Sequence, residues 1–363
     1  MQMITKKLST LKAFSQITGE RIVSLPQSSN RLGLICGGSG NLGDDAMVEA
    51  AHFLLPHAKL IRFEHPKQEH RLMRMGLSGQ RYFHSMILGG GTLICPTWRK
   101  QVQAALQQEL LVWSLGTGVG SNGFNQPTEV EIREWKALLM DFHRLGVRGP
   151  RSKTALEAIG IDKAEVIGDL ALSLTCNELM QPCEPPCFAV NITVPTGQTY
   201  DDGEYTRLQE LEPILQTLIQ QGWQPLPIAM HASDLPPLRQ LMHRVSMEHL
   251  PIHVVSTPAE FFQLVAPCSF TIAVRLHAAV LSCCVGVPPL MLGYRDKCLD
   301  FMQSMQLEDW HVGLQTAEAM EIPDKVQMLS ERSTTLRIDV LKRAQAWRQT
   351  LKDYVVSTVP QFV

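Results

Sequence analysis

The sequence predicts two doubly wound α/β domains, each built on a parallel sheet with helices on both faces. The chain has 363 residues, about twice the length of a typical single domain. Short apolar runs alternate with segments of helical period, and alternation without consecutive strands is typical of parallel sheets. Three prolines interrupt the alternation at residues 181–187, because neither a helix interior nor a central strand accommodates them.

In the first half, each apolar run predicts a buried strand, and each following segment with apolar residues at helical spacing predicts a covering helix. These strand and helix pairs are, in chain order, 32–36 with 44–55, 59–63 with 68–75, 85–88 with 99–108, 110–115 with 128–143, and 146–148 with 150–159. Strands of this kind are apolar throughout because both faces of the sheet are covered.

The same alternation returns after the prolines. The predicted strands are 188–193, 224–228, 252–255, 270–274 and 289–292, and the predicted helices are 204–221 and those that begin after 234, at 258 and at 276. A long charged segment of helical period at 323–356 either packs on the second domain or crosses back to the first. The predicted organisation is a lead-in at 1–30, a first domain at 31–180, a linker at 181–187, a second domain at 188–320 and a C-terminal helix at 321–363.

The composition excludes several classes of protein. Hydrophobic residues make up 45% and charged residues 19% of the chain, which is typical of a globular protein and not of a disordered one. The net charge of −2 leaves no global field for nucleic acid, so any anion site is local. No run of about 18 apolar residues predicts a transmembrane helix, and polar residues interrupt the first 20 residues where a signal peptide would need an apolar core.

The cysteines favour a reducing, cytoplasmic compartment. There are 9 of them, an odd number, and several lie in apolar runs such as 34–36 and 282–285. Buried reduced thiols explain this distribution better than a disulfide framework. Cys183 and Cys187 have a loose ligand-like spacing, but no second pair lies nearby in the sequence, and we predict no metal site.

The first strand runs into a glycine-rich loop at 37–45, which ends at the start of a helix predicted near Asp44. Glycines let a ligand approach the backbone, and a helix amino terminus offers free N–H groups. The glycines match the spacing of a dinucleotide fingerprint, but two aspartates follow where a pyrophosphate would bind, so the match is weak. Asp44 has the alternative role of a helix N-cap, and Asn41 that of a turn residue.

Two further strands in the first half also end in glycine runs. One run is Gly89–Gly91 before Thr92, and the other contains Gly116, Gly118 and Gly120. A single run is usually a tight turn. Three in one domain predict a rim where backbone meets ligand, without indicating a reaction.

The sharpest candidate lies in the second half, where an apolar strand ends in Arg275 and His277 at the start of an apolar helix. A helix amino terminus disfavours a protonated imidazole, so a proton-donating role needs a neighbouring anion. The alternative is a histidine bonded to a backbone carbonyl.

Cations also follow other strands. Arg295 and Lys297 come just after the strand at 289–292, and Arg148 and Arg151 follow the strand at 146–148. Such residues are usually solvent-exposed charges at the start of a helix. Together with Arg275, these cations at strand ends of a near-neutral protein predict an anion site.

With these motifs the sequence resembles the bacterial polysaccharide pyruvyl transferase family. The resemblance rests on residues 40–46 (Gly-Asn-Leu-Gly-Asp-Asp-Ala), 88–93, 115–118, 147–152, 168–169, 275–277, 286–288 and 294–297. It spans about residues 32–301 in the family's order. The sequence departs from the family's pattern at two places. Asp45 stands where the family often has glutamate, and Cys95-Pro96 stands where many relatives have an acidic residue.

The resemblance implies two Rossmann-like domains that face a central cleft, as in the glycosyltransferase B fold. It also implies transfer of a pyruvyl group from phosphoenolpyruvate, as co-substrate, onto two hydroxyls of a sugar or lipid-linked glycan in polysaccharide biosynthesis, with a ketal and phosphate as products. The first domain is then the acceptor side and the second the donor side. No other cofactor is implied, and the location would be cytoplasmic, either free or at the inner membrane surface.

Site roles follow from the same resemblance. His277 would protonate the methylene carbon of the donor, and Asp44 would accept a hydroxyl proton or orient the sugar. Donor-binding residues would be Arg148, Arg275, Lys297 and Tyr294. Acceptor or loop-backbone positions would be Asn41, Gly43, Gly90, Gly91, Thr92, Gly116 and Gly118.

Two alternatives stay open. One is a glycosyltransferase of the same architecture that uses a nucleotide sugar, and the other is a non-catalytic glycan-binding relative, because fold does not fix function.

Overall fold

A computed structural model of the chain describes residues 30–37, 40–63, 82–120, 128–193, 211–313 and 321–363. Three sequence predictions therefore lie outside the described residues. They are the lead-in up to residue 29, the helix at 68–75, and residues 204–210 of the helix predicted at 204–221.

The first sheet is parallel and seven-stranded. Its strands are β1 (Arg31–Ile35), β2 (Lys59–Phe63), β3 (Ser85–Leu88), β4 (Gly91–Ile94), β5 (Leu111–Val119), β6 (Leu145–Val147) and β7 (Ala164–Val166). The order is β2-β1-β3-β5-β6-β7, and β4 pairs with β5. β4 and β7 were not predicted, because β4 begins within a glycine run and β7 has an exposed glutamate at its centre, so neither is a continuous apolar run.

The helices of the first half are α1 (Leu42–Leu54), α2 (Arg99–Gln107), α3 (Glu129–Arg133), α4 (Lys136–Met140) and α5 (Pro150–Glu157). The prediction of one continuous helix at 128–143 was wrong. Thr128 begins α3 with a capping box to Glu131, but the segment breaks before the buried Trp135, whose indole N–H donates to the carbonyl of Cys95.

The second sheet is parallel and six-stranded, in the order β10-β9-β8-β11-β12-β13. Its strands are β8 (Cys187–Asn191), β9 (Gln224–Ala229), β10 (His253–Val254), β11 (Phe270–Ala273), β12 (Pro289–Gly293) and β13 (His311–Gly313). The helices are α6 (Leu211–Gln220), α7 (Leu235–Arg244), α8 (Pro258–Val265), α9 (Leu276–Cys284) and α10 (Asp296–Ser304). All residues of β11 and β12 are buried, and a fully buried aliphatic side chain contributes about 1.5–3 kcal/mol.

The C-terminal helix α11 (Ile322–Thr358) crosses back to the first domain, which decides between the two alternatives left open by the sequence. Near the middle of the helix, Arg337 donates to backbone carbonyls of Cys268 and Ala266 in the second half. Near its end, the ring of Tyr354 lies under the Arg144 guanidinium, which also donates to Thr358. α11 therefore braces both sheets.

A buried carboxylate joins the two halves directly. Asp300 on α10 accepts the backbone N–H groups of Arg151 (2.9 Å) and Ser152 (3.2 Å) at the start of α5, together with the Ser152 hydroxyl (2.7 Å). The amino terminus of α5 is thus capped from the other half of the chain, where its free donors and partial positive charge favour an anion. This contact fixes α5 against α10 beside the candidate site. None of the described helices is long and apolar enough to span a membrane.

Candidate active site

A cavity of about 280 Å³ lies where the loops after the strands of the two sheets meet. The first half contributes its wall from β4 and from the segments after β1, β4 and β6, and the second half from those after β11 and β12. The lining residues are Asn41, Asp44, Gly91, Thr92, Cys95, Thr97, Trp98, Arg148, Leu276, His277, Arg295 and Lys297. The carboxyl ends of both parallel sheets therefore face one cavity, as the sequence predicts.

The loop after β1 is held by Asn41 and not by Asp44. Asn41 is the N-cap of α1, and its side chain accepts the N–H of Gly43 at 3.3 Å. The N-cap role weighed for Asp44 was wrong: the helix begins at Leu42, so Asp44 lies within its first turn. Its carboxylate accepts from the Asn41 amide at 3.3 Å and lines the cavity.

Burial raises the pKa of the Asp44 carboxyl, while His277, Lys297 and Arg62 act in the opposite direction. The raised pKa makes Asp44 a stronger base than an exposed aspartate. At the rim of the cavity it is suited to hold or accept a proton.

The His277 imidazole sits at the junction of the two halves. Its side chain is 12% exposed, and its Nε2 lies 3.9 Å from Oδ1 of the buried Asp169 in the first half. Burial lowers the pKa of this ring, whereas Asp169 and then Asp44 raise it. Nε2 has no hydrogen-bond partner among the described residues, so the alternative of a bond to a backbone carbonyl does not hold for this nitrogen.

Gly43 is the point where α1 packs on this ring. A methyl group at Gly43 would overlap with Nδ1 of His277, so only glycine permits the observed contact. This requirement comes from close approach between the two halves.

Gly43→Ala is therefore expected to destabilise the fold by about 1–3 kcal/mol through overpacking, although alanine is the better helix former. A fall in the urea unfolding midpoint measures this loss. The matched control is the same substitution in a His277→Gly background, which removes the whole side chain, including the Cβ that the new methyl group would also overlap. In that background the loss should largely disappear. An equal loss in both backgrounds would contradict the packing argument.

The Arg148 guanidinium forms the cationic wall of the cavity. Its side chain is 1% exposed, and Nε lies 3.4 Å from Oδ2 of Asp300. None of its three nitrogens has a hydrogen-bond partner within the described part of the chain, and it lies flat against Gly118, where a Cβ would overlap with Nη2. A buried guanidinium with donors to spare is suited to binding an anion.

Lys297 and Arg295 add positive charge from the loop after β12. Lys297 Nζ lies 5.7 Å from the centre of the Tyr294 ring, and the Arg295 guanidinium lies 5.5 Å from it. Tyr294 supports these two cations and is not itself part of the cavity wall.

Arg275 occupies a different place from the one predicted. Its guanidinium is paired with the buried Asp234 through contacts of 2.6 to 2.9 Å, and it also donates to Thr193 and Ser233. It does not line the cavity. A guanidinium with these partners holds the loops of the second domain in place, so its contacts do not support the predicted donor-binding role.

The structure brings eight of the predicted residues to the cavity wall: Asn41, Asp44, Gly91, Thr92, Arg148, His277, Arg295 and Lys297. The other glycines pack behind it. Gly90 packs on Met47 and Gly116 packs on the backbone of Gly168 and Leu170. No group of three His, Cys, Asp or Glu side chains in the described ranges is arranged to hold a metal ion.

Two carboxylates beside the site were missed as functional candidates. Asp169 follows a strand too short to recognise, although the dipeptide 168–169 is part of the family resemblance. Asp300 lies within the otherwise apolar run 298–302, and a single acid on a buried helix face is a usable signal of a buried ion pair.

Comparison with known proteins agrees with this architecture. The family model for polysaccharide pyruvyl transferase matches residues 41–296 of the chain. A search of curated proteins found no match. A glycosyltransferase from Rickettsia africae is similar in structure, with a TM-score of 0.53 and 13% identity over 89% of this chain and 93% of that one.

Two epimerases are similar to the same degree. The UDP-GlcNAc 2-epimerase from Methanocaldococcus jannaschii has a TM-score of 0.52 and 12% identity over 83% of this chain and 92% of that one. The Neisseria meningitidis UDP-GlcNAc 2-epimerase bound to UDP-GlcNAc has the same score and identity over 91% and 100%. At this identity the likeness establishes the fold alone. The predicted fold of two Rossmann-like domains, as in the glycosyltransferase B class, is confirmed.

Proposed function

The chain belongs to the polysaccharide pyruvyl transferase family, and on that premise we propose that it transfers a pyruvyl group from phosphoenolpyruvate onto two hydroxyls of a sugar. The products are a pyruvate ketal and phosphate. The observation that carries this proposal is the shared cavity of Arg148 and His277, in which a buried cation and a buried imidazole come from opposite halves of the chain.

The charge of the cavity supports a small anionic donor. Phosphoenolpyruvate carries a carboxylate and a phosphate, and Arg148, Arg295 and Lys297 line the wall. A guanidinium binds either group through paired hydrogen bonds. The volume of about 280 Å³ lies at the lower limit of ligand cavities, about 300–1,000 Å³, and favours this compact donor over a nucleotide sugar.

The electrostatics of His277 support a general acid that the donor itself prepares. In the free protein, burial lowers the pKa of the ring. A bound trianion adds negative charge next to it and favours the protonated form. The acid is thus charged when the donor is present, which is when a proton is needed.

The proposed steps conserve atoms and charge. His277 gives its proton to the methylene carbon of phosphoenolpyruvate, and one sugar hydroxyl oxygen bonds to the adjacent carbon as its own proton passes to Asp44. The carbon–oxygen bond to phosphate then breaks, the second hydroxyl oxygen closes the ketal, and its proton leaves with phosphate. Asp44 then loses its proton to solvent and His277 regains one from solvent, which returns both side chains to their starting states.

A neighbouring cavity provides space for the acceptor sugar. It has a volume of about 460 Å³, lies between α5 and α10, and shares Lys297 with the first cavity. Its wall is mainly apolar, with Val119 and Ile132 on one side and the ion pair of Arg151 with Asp296 at 2.5 Å on another. A sugar bound there would have its hydroxyls beside the donor.

Thermal unfolding with two ligands tests the donor. Phosphoenolpyruvate at about 100 times its Kd is expected to stabilise the chain by about 2.7 kcal/mol, whereas UDP is expected to leave the unfolding temperature unchanged. Stabilisation by UDP alone would favour the glycosyltransferase alternative. Glycan binding that does not depend on Arg148 or His277 would favour the non-catalytic one. Phosphate release from phosphoenolpyruvate with a panel of surface glycans then tests turnover.

A further inference from the structure

Two buried polar groups without hydrogen-bond partners face each other across the junction of the two halves. Nε2 of His277 and Oδ2 of Asp169 have none among the described residues. The distance from Nε2 to Oδ1 of Asp169 is 3.9 Å, which is an ion-pair distance and longer than a hydrogen bond.

The local role of Asp169, which caps a short helix, does not require a charged side chain. Its side chain is fully buried, and Oδ1 accepts the N–H of Ala171 at 3.0 Å as the N-cap of the 3-10 helix Leu170–Leu174. Asparagine or serine would cap this helix equally well. A carboxylate is costly in the interior unless a cation pairs with it, and a protonated His277 is such a cation.

The orientation of the ring separates its two nitrogens. Nε2 is inaccessible to solvent and faces Asp169, so the exposed part of the ring lies elsewhere. Nδ1 lies against Gly43 on the α1 side, where Asn41 and Asp44 line the cavity. The two nitrogens therefore have different surroundings: Nε2 faces a carboxylate, and Nδ1 faces the first turn of α1, where Asn41 and Asp44 line the cavity.

The charges around the ring agree with a paired imidazolium. Asp169 is the strongest of the charges that raise the pKa of His277, followed by Asp44 on α1. Lys297 and Arg148 lower it. Removal of Asp169 would leave the two cations opposed by Asp44 alone.

We propose that Asp169 is the positioning residue of His277: its carboxylate accepts Nε2–H across the domain junction, so that Nδ1 is the nitrogen that gives its proton to the substrate. The proton transfer rests on the proposed function, whereas the pairing of the two side chains does not. In the transfer, the Nδ1–H bond breaks as the new carbon–hydrogen bond forms. The ring is left neutral with its proton on Nε2, still bonded to Asp169.

The test is Asp169→Asn in the full chain, because asparagine retains the cap to Ala171 and removes the charge. With ¹⁵N-labelled histidine, the signals of His277 are assigned by their loss in His277→Gln. The neutral ring of the wild type is expected as the Nε2–H tautomer. In Asp169→Asn the pKa of His277 is expected to fall by about one unit or more, and in Asp353→Asn, an exposed acid on α11, it should not change.

Kinetics give a second readout. With phosphoenolpyruvate as donor, Asp169→Asn should lower kcat at least about 10-fold and move the basic limb of the pH profile to lower pH, with KM for the donor within about twofold. A neutral wild-type ring protonated on Nδ1, or a His277 pKa that is equal in wild type and Asp169→Asn, would overturn the proposal. The tautomer is measured on wild type, so it decides even if the variant does not fold. If pairing is observed but phosphoenolpyruvate neither binds nor reacts, the proposed function fails and the positioning role stands.

Discussion

Replacement of His277 by glutamine is expected to lower the rate of phosphate release from phosphoenolpyruvate by about 10²- to 10⁴-fold, the usual contribution of a positioned general acid. The methylene carbon accepts a proton only from a group that reaches it. His277 is the one imidazole on the cavity wall within the described part of the chain. A glutamine amide supplies no proton of suitable acidity, although it can still donate a hydrogen bond toward Asp169.

Donor affinity should change far less than turnover, since the cations that bind the donor are intact. Steady-state kinetics measures turnover, and calorimetric titration with phosphoenolpyruvate measures donor affinity. His243→Gln is the matched control because the side chain of His243 is 78% exposed on α7, away from the cavity. Wild-type turnover in His277→Gln would remove His277 as the acid, and an equal loss in the control would point to an unspecific effect.

Arg148→Met is expected to raise the Kd for phosphoenolpyruvate by at least about 30-fold. Loss of one partner from a buried, hydrogen-bonded charge pair costs about 2–5 kcal/mol, and each 1.4 kcal/mol is a factor of ten. The guanidinium is buried beside His277, so the anion in the variant would be desolvated without its main counter-charge.

The Arg148→Met variant should still fold, because Asp300 still accepts hydrogen bonds from the two N–H groups and the Ser152 hydroxyl at the start of α5. Arg239→Met, the same substitution at an exposed site on α7, is the control. Calorimetric titration of both variants makes the comparison. A Kd within threefold of wild type in Arg148→Met would show that the donor binds elsewhere.

The fold was predictable from sequence because its signals are local. An apolar run such as 85–88 or 270–273 identifies a buried strand without knowledge of its neighbours in the sheet, since both faces of a parallel sheet are covered. The edge strands β7 and β13 carry no such signal, because a glutamate interrupts the first and a histidine and a glycine flank the single valine of the second. The break between α3 and α4 depends on where Trp135 packs, which periodicity does not encode.

The candidate site was predictable in part for the same reason. His277, Arg148 and Lys297 each directly follow a strand or begin a helix, and strand ends converge at one edge of a sheet. Arg275 satisfies the same rule, yet its guanidinium is paired with Asp234. The position of a residue along the chain predicts that its side chain lies at the ligand-binding edge of the sheet. It does not predict which residue will pair with its charge.

The sequence alone determined that this chain forms two parallel sheets, that cations follow their strands, and that the motifs are those of one family. These properties depend on residues close together in the chain. The glycine run predicted after the strand at 110–115 lies largely within β5. Only the tertiary structure decided that α11 braces both halves, that Asp300 caps α5, and that Asp169 faces His277. Each of these contacts joins residues that are 69 or more positions apart in the chain. They exist because burial of a charge requires a partner, and the choice of partner is made by packing in three dimensions.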